Sequence, residues 1–176
     1  MTLIVEDGTG KADAESYCSV AFATTYHAAR GNAAWGALAT DALREQALRR
    51  ATDFMVEVYR SQWAGTRLTV AQALDWPRYD VPMRDAPGGY GSWPAFYPQD
   101  DVPVAVQRAC AELALRAASV PLAPDVGAQV TEKKVGPIEI KYAEGTRQST
   151  FFRAADLLLR PFLINGGGSM IPVVRA

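Results

Sequence analysis

Apolar residues recur at helical spacing along four stretches of the chain and at alternate positions along one. The first stretch, SVAFATTYHAAR, runs from Ser19 to Arg30. Ser19 is a capping residue type, Gly31 suits the position just past a helix end, and Phe22, Tyr26 and Ala29 share a face. The second, TDALREQALRRATDFMVEVYRSQW, opens on two capping types, Thr40 and Asp41. There Leu43, Ala47, Ala51, Phe54 and Val58 make a stripe. Leu48, Met55, Tyr59 and Gln62 widen it, which predicts neighbours on two sides. Glu45 and Arg49 stand four apart in the order that supports an exposed helix face. A third helix is predicted to start near Asp101-Val102-Pro103, with Val102, Val106, Ala109, Leu113 and Ala117 inward and Pro121 and Pro124 beyond its end. The fourth, TFFRAADLLLRPFLI, is predicted from Thr150, with Phe151, Ala155, Leu158 and Phe162 as its stripe and Pro161 near its end.

Between the third and fourth helices the period changes to two. PIEIKY alternates Ile138, Ile140 and Tyr142 with Glu139 and Lys141, the pattern of a half-buried strand. QVTEKKV, from Gln129 to Val135, is its expected hairpin partner, with the turn at Gly136-Pro137. A lone two-stranded hairpin is marginal in water, so this one is expected to need a helix or another subunit. Residues 77–101 hold PGGYGSWPAFYP and read as a long irregular loop, a kind that tends to be functional or mobile. The end of the chain, NGGGSMIPVVRA, reads as a glycine tether followed by a short apolar segment. The fold class predicted is mainly α: a small helical bundle with a β-hairpin, a long aromatic loop and an extended C-terminal tail. Its expected division is one domain over 1–164 and a docking tail over 165–176.

Composition narrows the function. A chain of 176 residues buries roughly 70% of its unfolded surface, enough for a core without staples. With 18 basic against 19 acidic residues there is no general excess of positive charge, which argues against a dedicated duplex-binding surface. Cys18 and Cys110 both lie in apolar-periodic segments and read as buried free thiols, consistent with folding in a reducing cytosol. No long apolar run and no basic leader is visible, so a soluble protein without membrane contact is expected.

Candidate chemistry changes the picture little. EDGTGK, residues 6–11, suggests a phosphate-cradling loop, but G-x-x-x-x-G-K-[ST] would require glycine where Val5 stands and a hydroxyl where Ala12 stands. Asp7-Gly8 and Thr9-Gly10 read as a turn instead. His27, the single histidine, lies in a helix outside any triad spacing and reads as partly exposed. One histidine and two distant cysteines make no zinc site, and Asp100-Asp101 reads as helix-start chemistry. No cofactor and no catalysis are expected. Arg44, Arg49, Arg50 and Arg60, followed by Trp63, Trp76, Tyr79, Tyr90, Trp93, Phe96 and Tyr97, could stack single-stranded bases. Glu45, Asp53 and Glu57 on the same helix would cancel much of that field.

Three features instead suggest assembly, since each exposes surface that a monomer normally covers. They are the loop aromatics Tyr90, Trp93, Phe96 and Tyr97, the hairpin residues Ile138, Ile140 and Tyr142, and the tail Met170, Ile171, Pro172, Val173, Val174 and Arg175.

LIVEDGTGKADAESYCSVAFATTYHAARGN, REQALRRATDFM, QALDWPR, DVPVAVQRACAELALRA and VGPIEIKYAEG occur in this order. Together they resemble a family of phage and prophage proteins labelled DnaT-like single-stranded-DNA-binding proteins. In that setting the chain resembles the head–tail connector, or adaptor, proteins of tailed bacteriophages. The resemblance implies a helical core with a hairpin and a homo-oligomeric ring, a dodecamer, under the portal protein. It also implies contact with downstream neck or tail proteins, and double-stranded DNA passing through the lumen without sequence recognition. The place implied is the neck of the virion, after synthesis in the host cytoplasm. Copies are then expected to pack through helices 40–62 and 102–119. Single-stranded-DNA binding is the alternative that the same resemblance implies.

Overall fold

A computed structural model of the chain describes residues 2–86, 95–125, 132–135, 138–141, 150 and 152–164. Its elements in order are α1 (Val20–Ala28), α2 (Ala33–Gly36), α3 (Asp41–Tyr59), β1 (Thr66–Arg67), β2 (Arg78–Tyr79), α4 (Val104–Ala117), β3 (Glu132–Val135), β4 (Ile138–Lys141) and α5 (Arg153–Leu159). A 3-10 turn, Arg160–Phe162, closes α5. The mainly helical architecture with a small antiparallel hairpin is therefore as the periodicity predicts.

The central helix is α4, which packs against α3, α5 and α1. Val102, Val106, Ala109, Leu113 and Ala117, the predicted inward stripe, are all buried. Burying a valine or leucine side chain contributes about 1.5–3 kcal/mol, so this stripe is a principal source of stability. Because α4 commits so much of its surface to this chain's own core, it leaves little for a neighbouring copy.

Helix α1 begins where expected. The Ser19 hydroxyl accepts from the Phe22 N–H, and Gly31 follows the helix end with φ +69°. Its buried face is Ala23, Tyr26 and His27, whereas Ala29, expected inward, is exposed. In α3, Thr40 caps Leu43, but the buried face is turned relative to the predicted stripe: Ala47, Leu48, Ala51, Thr52, Met55 and Tyr59 face inward. Leu43 and Val58 are exposed instead. The reason is tertiary. The small residues Ala47 and Ala51 allow close packing, and Thr52 gains a sulfur partner on α4. Helix α5 starts at Arg153 rather than Thr150, with Phe152 buried edge-on against Phe54 at 5.4 Å between ring centres. Pro161 lies in the closing turn, and Phe151 lies outside the described residues.

The segment 77–101 is less irregular than predicted. β2 pairs with β1 in the register Thr66↔Tyr79 and Arg67↔Arg78. Farther along, Met83 donates to the Ala95 carbonyl at 2.8 Å and Tyr97 to that of Val81 at 3.0 Å. The base of the loop is thus a narrow antiparallel ladder. In the second hairpin, Val135 pairs with Ile138 and Lys133 with Ile140. The turn Gly136-Pro137, the residues 129–131 and Tyr142 lie outside the described residues, as does the tail 165–176.

Candidate functional site

The glycine-rich stretch near the N-terminus does cradle an anion, and the anion is the chain's own. The buried Glu6 carboxylate accepts from the N–H groups of Gly8 at 3.0 Å, Gly10 at 2.9 Å and Lys11 at 2.9 Å. Gly8 (φ +99°) and Gly10 (φ +76°) supply the left-handed conformations that turn these donors inward. Lys11 points away from that nest, bonding the Val5 carbonyl at 3.0 Å and the Asp7 carboxylate at 2.8 Å. Lys11 and Thr9 together hold the Asp7 carboxyl down at about 2. The turn reading therefore stands, with Glu6 in the place a phosphate would take. Glu6→Ala leaves three inward donors without an acceptor, which is expected to cost about 2–3 kcal/mol. A lower urea midpoint at unchanged slope would show it, while Lys11→Ala should scarcely move the midpoint.

A second polar cluster is built by QALDWPR. Asp75 is fully buried, and its carboxylate accepts from Arg60 Nε at 3.0 Å and Trp63 Nε1 at 3.2 Å. Its backbone N–H donates to the Tyr17 hydroxyl at 3.1 Å. The Arg78 guanidinium, also buried, donates to the carbonyls of Ala64, Gly65 and Asp75. Burial pushes the Arg78 pKa down, and the Asp75 charge opposes that. Gln72 ties the same turn together by donating to the carbonyls of Leu74 and Pro77. The Trp76–Pro77 peptide bond is cis, and the Trp76 ring meets Trp63 and Phe162 edge-on. These groups face one another. They brace the segment between α3 and α4.

The arginines and aromatics that could have formed a base-stacking surface are largely committed within the chain. Arg44 pairs with Asp41 at 2.6 Å, Arg49 with Glu15 at 2.9 Å, and Arg60 with Asp75. Arg50 bonds the Gln46 carbonyl. Trp63 and Trp76 are buried, and Tyr97 is half-buried with its ring 4.8 Å from that of Phe162. Tyr79 and Phe96 are the exposed aromatics of this set among the described residues. Of the predicted interface residues, Phe96 is thus on the surface and Tyr97 turns to the chain's own core. Ile138 and Ile140 lie on β4. Tyr90, Trp93, Tyr142, Met170, Ile171, Pro172, Val173, Val174 and Arg175 lie outside the described residues.

His27 differs from its expectation: it is buried rather than partly exposed. Nε2 lies 3.0 Å from the Ala111 carbonyl and Nδ1 3.0 Å from the Asn32 side-chain amide, so the neutral ring donates to the first and accepts from the second. Its ring also packs against Tyr26 and Trp35. Burial lowers its pKa from the ordinary 6.5, with the Ala111 carbonyl and the nearby Glu112 opposing. A histidine whose folded pKa is depressed contributes full stability above the unfolded value and loses it as pH falls from that value through the lower folded one. Melting temperature should therefore hold from pH 8 to 7 and decline from about 6.5 towards 5. His27→Gln should flatten that decline. An unchanged slope in the variant would show that His27 is not its source, since Glu112, whose pKa is lowered, loses its own contribution only below 4.5.

The two cysteines, distant in sequence, meet in the core. Cys18 and Cys110 are both buried free thiols, as predicted, and both belong to the same core. Cys110 Sγ also lies 3.4 Å from Thr52 Oγ1 and 3.9 Å from Ser16 Oγ. Spacing alone could not reveal this meeting.

What these contacts define is a mainly helical domain whose polar clusters brace its loops against the helices. The chain matches, over residues 1–176, the family described as "Putative DnaT-like ssDNA binding protein", and it belongs to that family. Neither the curated proteins nor the solved structures gave a match. The family is described by binding to DNA and by no reaction, and its description names no connector, portal or ring.

Proposed function

We propose that this chain works as a structural part of an assembly, the head–tail connector of a tailed bacteriophage. Copies would form a ring under the portal, join capsid to tail, and let double-stranded DNA pass. The observation that supports this reading over base stacking is the pairing of Arg44, Arg49 and Arg60 with carboxylates of the same chain, beside buried Trp63 and Trp76. A surface so neutralised lets a polyanion slide past and releases few counterions on contact. Exposed Leu43 and Val58 on α3 and Leu157 on α5 offer apolar contacts to a neighbour. The portal, the ring and its twelvefold count rest on the sequence resemblance, as does the place in the virion neck.

Single-stranded-DNA binding is the second reading. The family match carries it, and on that match alone it stands ahead of the connector. Tyr79 and Phe96 are the exposed rings that would stack bases.

Two measurements on the purified full chain separate the readings. The connector reading expects co-sedimentation with portal rings from the same phage, and no rise in anisotropy of a labelled oligothymidine at about 50 mM salt. Tight, steeply salt-dependent oligonucleotide binding without portal association would overturn it and establish the second reading.

A further inference from the structure

We propose that the face shared by α1 and α4 is a binding site for the phosphate backbone of a single DNA strand, built by Arg30, Arg108 and Arg116. It rests on the single-stranded-DNA reading and gives that reading its phosphate contacts. On α1 and the turn after it, Phe22, Tyr26 and Arg30 stand four residues apart and share one face. On α4, Arg108, Glu112 and Arg116 do the same, with about 12 Å of helix between the two arginines. The two rows meet at their middles, where the Tyr26 hydroxyl donates to the Glu112 carboxylate at 2.9 Å. That contact joins distant parts of the chain, so neither row announces the other in sequence.

Charge on this face is unlike that on α3. Arg30 and Arg108 are exposed, and neither forms an ion pair among the described residues. Arg30 donates to the Tyr26 carbonyl at 3.0 Å, a contact that leaves its charge whole. Arg116 uses one nitrogen on Glu112, bonding its carbonyl at 2.6 Å and its carboxylate at 2.8 Å. The rest of the Arg116 guanidinium stays available, since that side chain is 35% exposed. Three guanidinium groups thus share a face with one carboxylate, whereas Arg44, Arg49 and Arg60 on or beside α3 each pair with an acid. A local surplus of positive charge on a chain of net charge −1 holds a polyanion by releasing its counterions.

Flat surface beside the arginines selects a single strand over a duplex. The Arg30 guanidinium carbon lies 3.7 Å from the centre of the Tyr26 ring, which holds the planar cation against it. The outer side of that cation is exposed, and an unpaired base stacks on such a plane. Phe22, half-buried, continues the row: its ring centre is 6.5 Å from that of Tyr26 at an interplanar angle of 10°. Bases in a duplex are already covered by their neighbours, so a duplex offers this row phosphates and no face to stack. Glu112 fixes Tyr26 and Arg116 in place while cancelling one of the three charges.

The test follows the anisotropy of a labelled oligothymidine with the purified full chain, over a salt series starting at about 50 mM. Arg30→Gln and Arg108→Gln should each weaken binding roughly three- to tenfold. Each should also reduce the slope of log affinity against log salt by about 0.7, the value for one phosphate of a single strand. Arg108 is exposed and has no ion pair to lose among the described residues, so the melting curve of that variant should match the parent's. Glu112→Gln should act in the opposite sense, tightening binding and steepening the slope, because it frees the charge of Arg116. Arg153→Gln, which removes an exposed charge from α5, should leave affinity unchanged. A duplex of the same length should bind about tenfold more weakly. If the parent chain binds no oligonucleotide, the single-stranded-DNA reading and this site fall together. If the parent binds and the Arg30 and Arg108 variants bind equally well, or Arg153→Gln weakens binding as much as they do, the site alone is overturned. Equal affinity for the duplex would overturn the assignment to a single strand.

Discussion

Asp75→Ala is expected to lower the melting temperature by about 10–15 °C, a loss of roughly 3–5 kcal/mol. The carboxylate is fully buried, and it is the acceptor for both Trp63 Nε1 and Arg60 Nε. Removing it leaves the indole N–H buried without a partner, and an unsatisfied buried donor costs about 1–3 kcal/mol by itself. The greater part of the loss comes from charge. Arg78 is buried with only carbonyl partners, and the Asp75 carboxylate is the charge that favours its ionised form there. Without that carboxylate an uncompensated guanidinium remains in the interior. Arg60→Ala should cost much less, because the Arg60 side chain is 52% exposed and water replaces what it loses. Asp75→Asn keeps the shape and one acceptor oxygen, so it should fall between the two. Thermal melts of the three variants give the order directly, with Trp63 fluorescence reporting local loosening. An Asp75→Ala chain that melts within a few degrees of the parent would show that Asp75 does not organise this cluster.

The contrast between α4 and α3 shows how much of this fold periodicity can carry. On α4 every predicted inward residue is buried, because that helix is surrounded and its apolar stripe has one inward solution. On α3 the same procedure selected Leu43 and Val58, which are exposed, and passed over Thr52, which is buried. Hydropathy cannot anticipate a threonine whose hydroxyl finds a cysteine on another helix. His27 fails for the same reason: its partners, the Ala111 carbonyl and Asn32, make a buried histidine affordable only in the folded chain. The QALDWPR block stood out as a string without revealing that its aspartate and arginine are interior. The Glu6 nest was legible in outline from two glycines and a lysine, while the identity of its anion was not.

The same limit governs function. A row of arginines followed by aromatics looks like a base-stacking surface until each side chain's partner is known. Arg49 meets Glu15, which comes from the N-terminal segment, and Arg60 meets Asp75, which comes from the turn after α3. Both neutralisations depend on tertiary contact, so neither appears in a count of charges along α3.

Gly65→Ala should be nearly as damaging as Asp75→Ala, at about 3–5 kcal/mol, and for a different physical reason. Gly65 has φ +67°, where an L side chain is disfavoured by about 1–2 kcal/mol. A Cβ there would lie 2.0 Å from the Tyr79 carbonyl oxygen and 2.9 Å from Val81 Cγ2. Neither neighbour yields cheaply. The Tyr79 carbonyl belongs to β2, held in register with Thr66, and Val81 is fully buried. Relief requires the two short strands to separate, yet Arg78 clamps them by donating to the Ala64 and Gly65 carbonyls at 2.8 and 2.7 Å. Strain at one methyl group therefore spreads into the buried guanidinium and the aromatic cluster behind it. Gly31→Ala is the matched control: its φ is +69°, but an added Cβ meets nothing within 4 Å. That variant should lose only the conformational part, about 1 kcal/mol. Circular-dichroism melts of the pair divide backbone strain from collision, and equal losses in both would mean that β2 does not press on Gly65.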